Sequence, residues 1–279
     1  MASVRDLVLL TLCAAAIGCS SVHQPGQGDV PVAEPTMTVT PAGVASALRA
    51  AKPGEVIAVE PGVAPGDIYL SGIQGAEAQP ITLRAADPND PPVLEGGSEG
   101  MHLTDVSWLI IDGLRIRGAS GNGLNIDDGG AFETPSHHVT LRNVTIENVG
   151  PDGNRDGLKL SGVVDFRVEG CTLRRWGSDG SGIDMVGCHR GVIESCQFEH
   201  DPGSMGSGVQ AKGGASQVVV RRCDFRHAGS RAVNIGGSTD LEFFRPEPQG
   251  YEAKEITVEG CTFTGSLAPI AYVGVHGAI

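Results

Sequence analysis

The side chains best suited to acid–base or ion-binding chemistry recur at nearly constant spacing. Lys159, Asp184, Gln210 and Asn234 follow one another at intervals of 25, 26 and 24 residues, and Asn125 precedes Lys159 by 34. Two residues beyond each stand Asp127, Ser161, Val186, Lys212 and Gly236. A lysine is available as a base near neutral pH only when burial or a neighbouring cation lowers its pKa. Lys159 has Asp184 in the next copy of the repeat, which would hold it charged. Lys212 has Val186 before it and Gly236 after it, with Arg231 near in the following copy, and these surroundings favour the neutral amine. Lys212 is therefore the candidate base, with Arg231 as its catalytic companion. Asn125, Lys159, Asp184, Gln210 and Asn234 are the candidate substrate-binding residues. Asp127, Asp156 and Asp184 offer the oxygen ligands that Ca²⁺ takes, which makes Ca²⁺ the candidate cofactor. Asp128 and Asp179 are read instead as turn caps, a common use of aspartate.

The elements that must carry these residues announce themselves as a repeat. Each central residue sits in an apolar–polar–apolar triplet after a small residue: Leu124-Asn125-Ile126, Leu158-Lys159-Leu160, Ile183-Asp184-Met185, Val209-Gln210-Ala211 and Val233-Asn234-Ile235. A second apolar alternation follows each, as in Val139–Ile146, Phe166–Leu173, Val192–Phe198, Val219–Phe225 and Ile256–Phe263, and Trp108–Ile116 fits as an earlier member. Alternation with a period of two marks strands, and a repeat of this length marks a solenoid. The sequence predicts an all-β fold, a right-handed parallel β-helix, in which each coil buries its inner face against its neighbours. In that arrangement the triplets' central residues point to solvent and stack into a column. Gly123, Gly157, Gly182 and Gly208 would keep the floor beside it low. Thr40-Pro41 opens a short helical pattern with Val44, Leu48 and Ala51 on one face, expected to cap the first coil. Cys171, Cys196, Cys223 and Cys261 share one inward position with Leu114 and Val144, a ladder of apolar thiols rather than a disulfide set. Residues 240–254 interrupt the period, and such insertions map to one face of a solenoid.

The 279 residues include 41 glycines and only 4% aromatic residues, which suits tight corners around a narrow aliphatic interior. The net charge is −13, yet residues 112–231 hold 14 Lys/Arg against 15 Asp/Glu, leaving 6 against 18 elsewhere. The excess acid thus lies outside the repeats, and no basic stripe with interleaved aromatics points to nucleic acid. Residues 1–19 read as a signal peptide: Arg5 precedes the apolar run Leu7–Ile17, too short to span a bilayer, which ends in Ala16-Ile17-Gly18-Cys19. That tetrapeptide resembles a bacterial lipobox with Cys19 as the lipidated residue. The expectation is a monomer in the bacterial cell envelope, anchored by lipid at the outer membrane or in the periplasm, or else secreted. Residues 20–39 read as a flexible tether and 40–279 as the β-helix domain, whose last residues begin another strand as if the chain continued.

The segments AKPGEVIAVEPG and GIQGAEAQPITLRAADPNDPPVLEGG resemble the N-terminal coils of the chondroitinase B and alginate lyase family. Residues 41–279 as a whole are similar to pectate-lyase-like β-helix proteins. GVQAKGGASQVVVRRCDF resembles the lyase family's Asn-Lys-Ser segment and the strand after it, which implies that Lys212 is the catalytic lysine. The family's arginine one coil later falls on Gly236, and its acidic calcium ligands are unmatched, with Met205 near one of them. Arg231 is then the arginine left to substitute. The resemblance implies an acidic polysaccharide as substrate and proton abstraction beside a uronate carboxylate, by a lyase or a related uronate epimerase. Gly182-Ile183-Asp184 is similar to part of an epimerase segment, without its Pro-His. Two other readings stand beside it. One is a non-catalytic glycan-binding or scaffold β-helix. The other is a glycoside hydrolase using Asp156 and Asp184.

Overall fold

Three parallel sheets wind around one apolar interior, each strand pairing with its counterpart one coil later. The computed structural model describes residues 34–246 and 250–273. One sheet carries the triplets: Ile68–Ser71, Met101–Thr104, Leu124–Asp127, Leu158–Ser161, Ser181–Val186, Ser207–Lys212, Arg231–Gly236 and Ala268–Val273. The second sheet runs from Met37–Val39 through Ser107–Asp112 and His189–Glu194 to Ala253–Glu259. The third consists of short strands such as Thr172–Arg174, Gln197–Glu199 and Asp224–Arg226. Neighbouring coils are about 4.8 Å apart in the hydrogen-bonding direction, so equivalent side chains stack. The right-handed parallel β-helix read from the repeat is the fold.

The core is built from the columns the repeat predicts. Leu158, Ile183, Val209 and Val233 are all buried, and Phe198 and Phe225 stack with ring centroids 4.6 Å apart. Leu114, Val144, Cys171, Cys196 and Cys223 fill one inward column, and the five cysteines within the described residues are free thiols. The corner before that column turns through the left-handed region, at Asn143 (φ 52°) and at Gly170 (φ 60°) for example, a conformation asparagine and glycine adopt at low cost.

The N-terminal cap is present. Pro41–Gly43 forms a 3-10 turn and Val44–Ala50 a helix, with Val44 and Leu48 buried on the first coil. Thr40 precedes the turn in extended conformation but makes no side-chain cap. The sheet begins before the helix, because Met37–Val39 pairs with Ile57–Val59 and Thr36 bonds Val56. Residues 1–33, including Cys19, and 274–279 lie outside the described residues.

The glycines Gly123, Gly157, Gly182 and Gly208 have a different role from the one expected. A Cβ on Gly157 would come within 2.7 Å of the Gly182 carbonyl oxygen, and one on Gly182 within 2.6 Å of that of Gly208. They permit the coils to approach one another at this corner; they do not lower the floor of a groove.

Candidate functional site

The triplet sheet places the sequence-predicted column in register. Asn125 pairs with Lys159, Lys159 with Asp184, Asp184 with Gln210, and Gln210 with Asn234. Val186 lies beside Lys212 in the second column. Outward orientation does not mean exposure, however. Asp184 is 1% exposed and Asn234 2%, and the Lys159 and Lys212 amines both reach Asp184.

Asp184 is the hub of the site. One of its oxygens takes a short charge-assisted hydrogen bond from Lys159 Nζ; the other, Oδ1, lies 3.2 Å from Lys212 Nζ. Asp156, also buried, approaches Lys159 Nζ at 3.5 Å and accepts the Ser181 N–H through Oδ1 at 2.8 Å. Two lysines and two aspartates thus alternate along the floor. Burial and then the Asp184 charge push the Asp156 carboxyl up to about 6, partly opposed by Lys159. Burial works against the Lys159 ammonium, but Asp184 and Asp156 more than offset it and raise its pKa. Lys159 is therefore the ion-paired lysine, as read from the sequence. The expectation that Lys212 has no anionic neighbour fails: Asp184 reaches past Val186 to both amines.

Arg231 is not beside Lys212. It enters its strand opposite Ser207, while Lys212 ends the neighbouring strand five residues further on, roughly 16 Å along at about 3.3 Å per residue. The three proposed calcium ligands also divide. Asp156 and Asp184 face Lys159, whereas Asp127 accepts from His102 Nε2 at 2.7 Å and from the Gly129 N–H at 2.9 Å. Among the described residues no three acidic, imidazole or thiol groups converge as an ion would require. These side chains do not fit a Ca²⁺ cradle in this arrangement. Gln210 donates to the Gly236 carbonyl at 3.2 Å, and Asn125 Oδ1 is buried without a partner. Asp128 does cap a turn, accepting the Gly130 N–H at 2.9 Å.

Two functional side chains escaped the sequence reading. His102 stands one coil before Asn125, its imidazole between Glu99 (2.9 Å) and Asp127 (2.7 Å) and its ring 5.6 Å from that of Tyr69. Hydrogen bonds that it donates to Asp127 and then Glu99 raise its pKa to about 9, against partial burial, so it is an imidazolium at neutral pH. Gly100-Met101-His102-Leu103 is the triplet grammar once more and would have revealed it. Arg245 comes from the insertion. Its guanidinium makes a bidentate pair with Asp128, Nη2 to Oδ1 at 3.0 Å, and lies 3.9 Å from the Phe132 ring centroid. Its carbonyl accepts from His189 Nε2, and Glu252 takes the N–H groups of Gly213 and Thr239. The insertion is thereby bound along the edge of the triplet sheet.

Together these elements bound a cleft of about 710 Å³ with Asp127, Lys159, Val186 and Lys212 on its floor and Thr239, Phe243 and Arg245 on its wall. Its cations differ in how fully they are engaged. His102 and Lys159 each meet two carboxylates, and Arg245 meets one bidentately. Lys212 has three N–H donors and one contact to a single carboxylate among the described residues, the fewest ion-pair contacts of the four.

A solenoid of parallel coils with an ion-lined cleft on one sheet defines the class, and comparison with known proteins agrees. Residues 99–276 match the family described as right handed beta helix region, and the chain belongs to that family. It is similar in structure to an alginate lyase from Paenibacillus sp. str. FPU-7, with a TM-score of 0.56 and 19% identity over 88% of this chain and 100% of that one. A pectate lyase, Pel9A, superposes with a TM-score of 0.49 and 15% identity, over 84% of this chain and 78% of its own. Among curated proteins none matches the chain. At these identities the likeness is one of fold.

Proposed function

We propose that this chain is a carbohydrate-active β-helix protein that binds an acidic polysaccharide along the cleft and cleaves it by β-elimination, with Lys212 as the base. The observation that carries this is the position of Lys212: its amine lies on the cleft floor 3.2 Å from a single carboxylate oxygen, Asp184 Oδ1, which is buried and makes no hydrogen bond of its own. That oxygen is placed to take the ammonium proton when a bound sugar excludes water. Neutral Lys212 then removes the proton beside the uronate carboxylate, the C4–C5 double bond forms, and the C4–oxygen bond breaks. The ammonium just formed returns a proton to the departing oxygen. Lys159, fixed in its charged form, supplies positive charge to the carboxylate as electrons move into it. Asp156 and Asp184 are too deeply buried to flank a glycosidic bond, which argues against the hydrolase reading.

A second reading has its own support. The cleft sets Lys159, Lys212 and Arg245 against an anionic chain whether or not a proton is removed, which suits a glycan-binding protein without catalysis. Incubation with alginate, pectate and chondroitin, with and without Ca²⁺, separates the two. The lyase produces ultraviolet absorbance from unsaturated uronate ends, and Lys212→Ala abolishes it. Binding without absorbance supports the non-catalytic reading, and new reducing ends without absorbance the hydrolase. The same proposal places the protein in the cell envelope or outside the cell. Lipid labelling that disappears in Cys19→Ala tests the anchor.

A further inference from the structure

We propose that a second cleft, on the far side of Lys212, is a binding subsite for a neighbouring uronate and that Arg231 reads its carboxylate. This rests on the polysaccharide reading above and extends it to the substrate: two consecutive acidic sugars meet at Lys212. The cleft measures about 370 Å³, within the roughly 300–1,000 Å³ range of small-ligand sites. It shares Asn154, Lys212 and Ser238 with the larger cleft, so the two are continuous and Lys212 stands at their junction. Arg231 lies one coil on from Lys212 and roughly 16 Å away along the strand direction, a gap that the two long side chains narrow from both ends within this cleft.

The lining has the chemistry of a sugar site. Asn234 is 2% exposed, and its Oδ1 lacks a hydrogen-bond partner, a costly condition that a ligand hydroxyl would relieve. Met205, 62% exposed, offers an apolar face to a ring. Arg231 is the cation of this cleft other than Lys212. Among the described residues it has no carboxylate partner, unlike Arg115, Arg142, Arg167, Arg190 and Arg221; Arg49, Arg84 and Arg155 also make no ion pair, but none of them lines this cleft. Asp179 is the one carboxylate among the described lining residues; it makes no ion pair with Arg231 and is placed to accept from sugar hydroxyls. A guanidinium left unpaired in a chain of charge −13 is suited to bidentate capture of a carboxylate.

The test is calorimetric titration of a tetra-uronate and of the same oligomer with its carboxyls reduced to alcohols. Lys212→Met serves as the background, so that nothing is cleaved, and circular dichroism confirms folding. Arg231→Gln in that background is expected to weaken the acidic oligomer at least tenfold and leave the neutral one unchanged. Equal binding of the acidic oligomer with and without Arg231 overturns the inference while leaving the polysaccharide reading intact. Failure of the wild-type protein and the Lys212→Met background alike to bind the acidic oligomer overturns both.

Discussion

Replacing Asp184 with asparagine removes the charge that joins the two lysines while preserving shape. Removing one member of a buried ion pair typically costs about 3–5 kcal/mol, since the other is left charged and unpaired. Here Asp156 still lies 3.5 Å from Lys159, and both lysine side chains keep some access to solvent, so the lower end applies, about 3 kcal/mol. For a fold of this size that lowers Tm by roughly 6–12 °C, at about 2–4 °C per kcal/mol. The substitution also changes the pH dependence. Burial and Asp184 raise the Asp156 carboxyl from 3.8 to about 6, so the folded state holds that proton more tightly than the unfolded one. The associated stability is fully present below pH 3.8 and is lost as pH rises through about 6. Asp184→Asn removes one cause of the shift, and the decline across that window becomes shallower. Calorimetric Tm measured across this pH range reads both effects. Turnover should fall about 100-fold, within the usual contribution of general base catalysis, because Lys212 loses the oxygen that takes its proton. An unchanged Tm, an unchanged pH slope and undiminished turnover together would refute the hub role of Asp184.

Three further outcomes follow from the same geometry. Arg245→Ala leaves Asp128 charged and buried and should cost about 3–4 kcal/mol, with hydrogen exchange accelerating in residues 238–246; unaltered exchange would mean the insertion is held by other contacts. His102, raised to about 9, contributes stability that is fully present below pH 6.5 and lost as pH climbs through 9; discounted for partial exposure, this is about 1–2 kcal/mol, and His102→Gln should abolish that alkaline decline in Tm. Burial pushes the Cys188 thiol up to about 12, so it should resist alkylation at neutral pH until the protein unfolds, and rapid labelling of the native protein would contradict the packed core.

The fold was readable because its cause is local and repeated. Leu158, Ile183, Val209 and Val233 alternate with polar residues at a near-fixed period, and their in-register pairing follows once the coils stack. The cysteine column was readable for the same reason. The site was only partly so. Lys159, Asp184 and Lys212 do meet, but the sequence gives the parity of a side chain and not how its neighbours drape over it, so the burial of Asp184 and its reach to Lys212 were missed. Strand register also separates Arg231 from Lys212, although the two are only 19 positions apart in the chain. Arg245 and Asp128 are 117 residues apart and joined through an aperiodic insertion, beyond any repeat-based inference. His102 lay within reach, since its triplet simply extends the column by one coil.

Removal of the proton beside the uronate carboxylate by Lys212 is the step on which the proposed cleavage depends. The direct measurement compares a tetra-uronate with the same oligomer deuterated at C5, using wild type and Lys212→Met. With Lys212 as the base, the expected result is unsaturated product, slower release from the deuterated substrate, and a loss of roughly 100-fold or more in Lys212→Met with binding retained. Equal turnover by Lys212→Met, or bound substrate that never yields an unsaturated end, would contradict it.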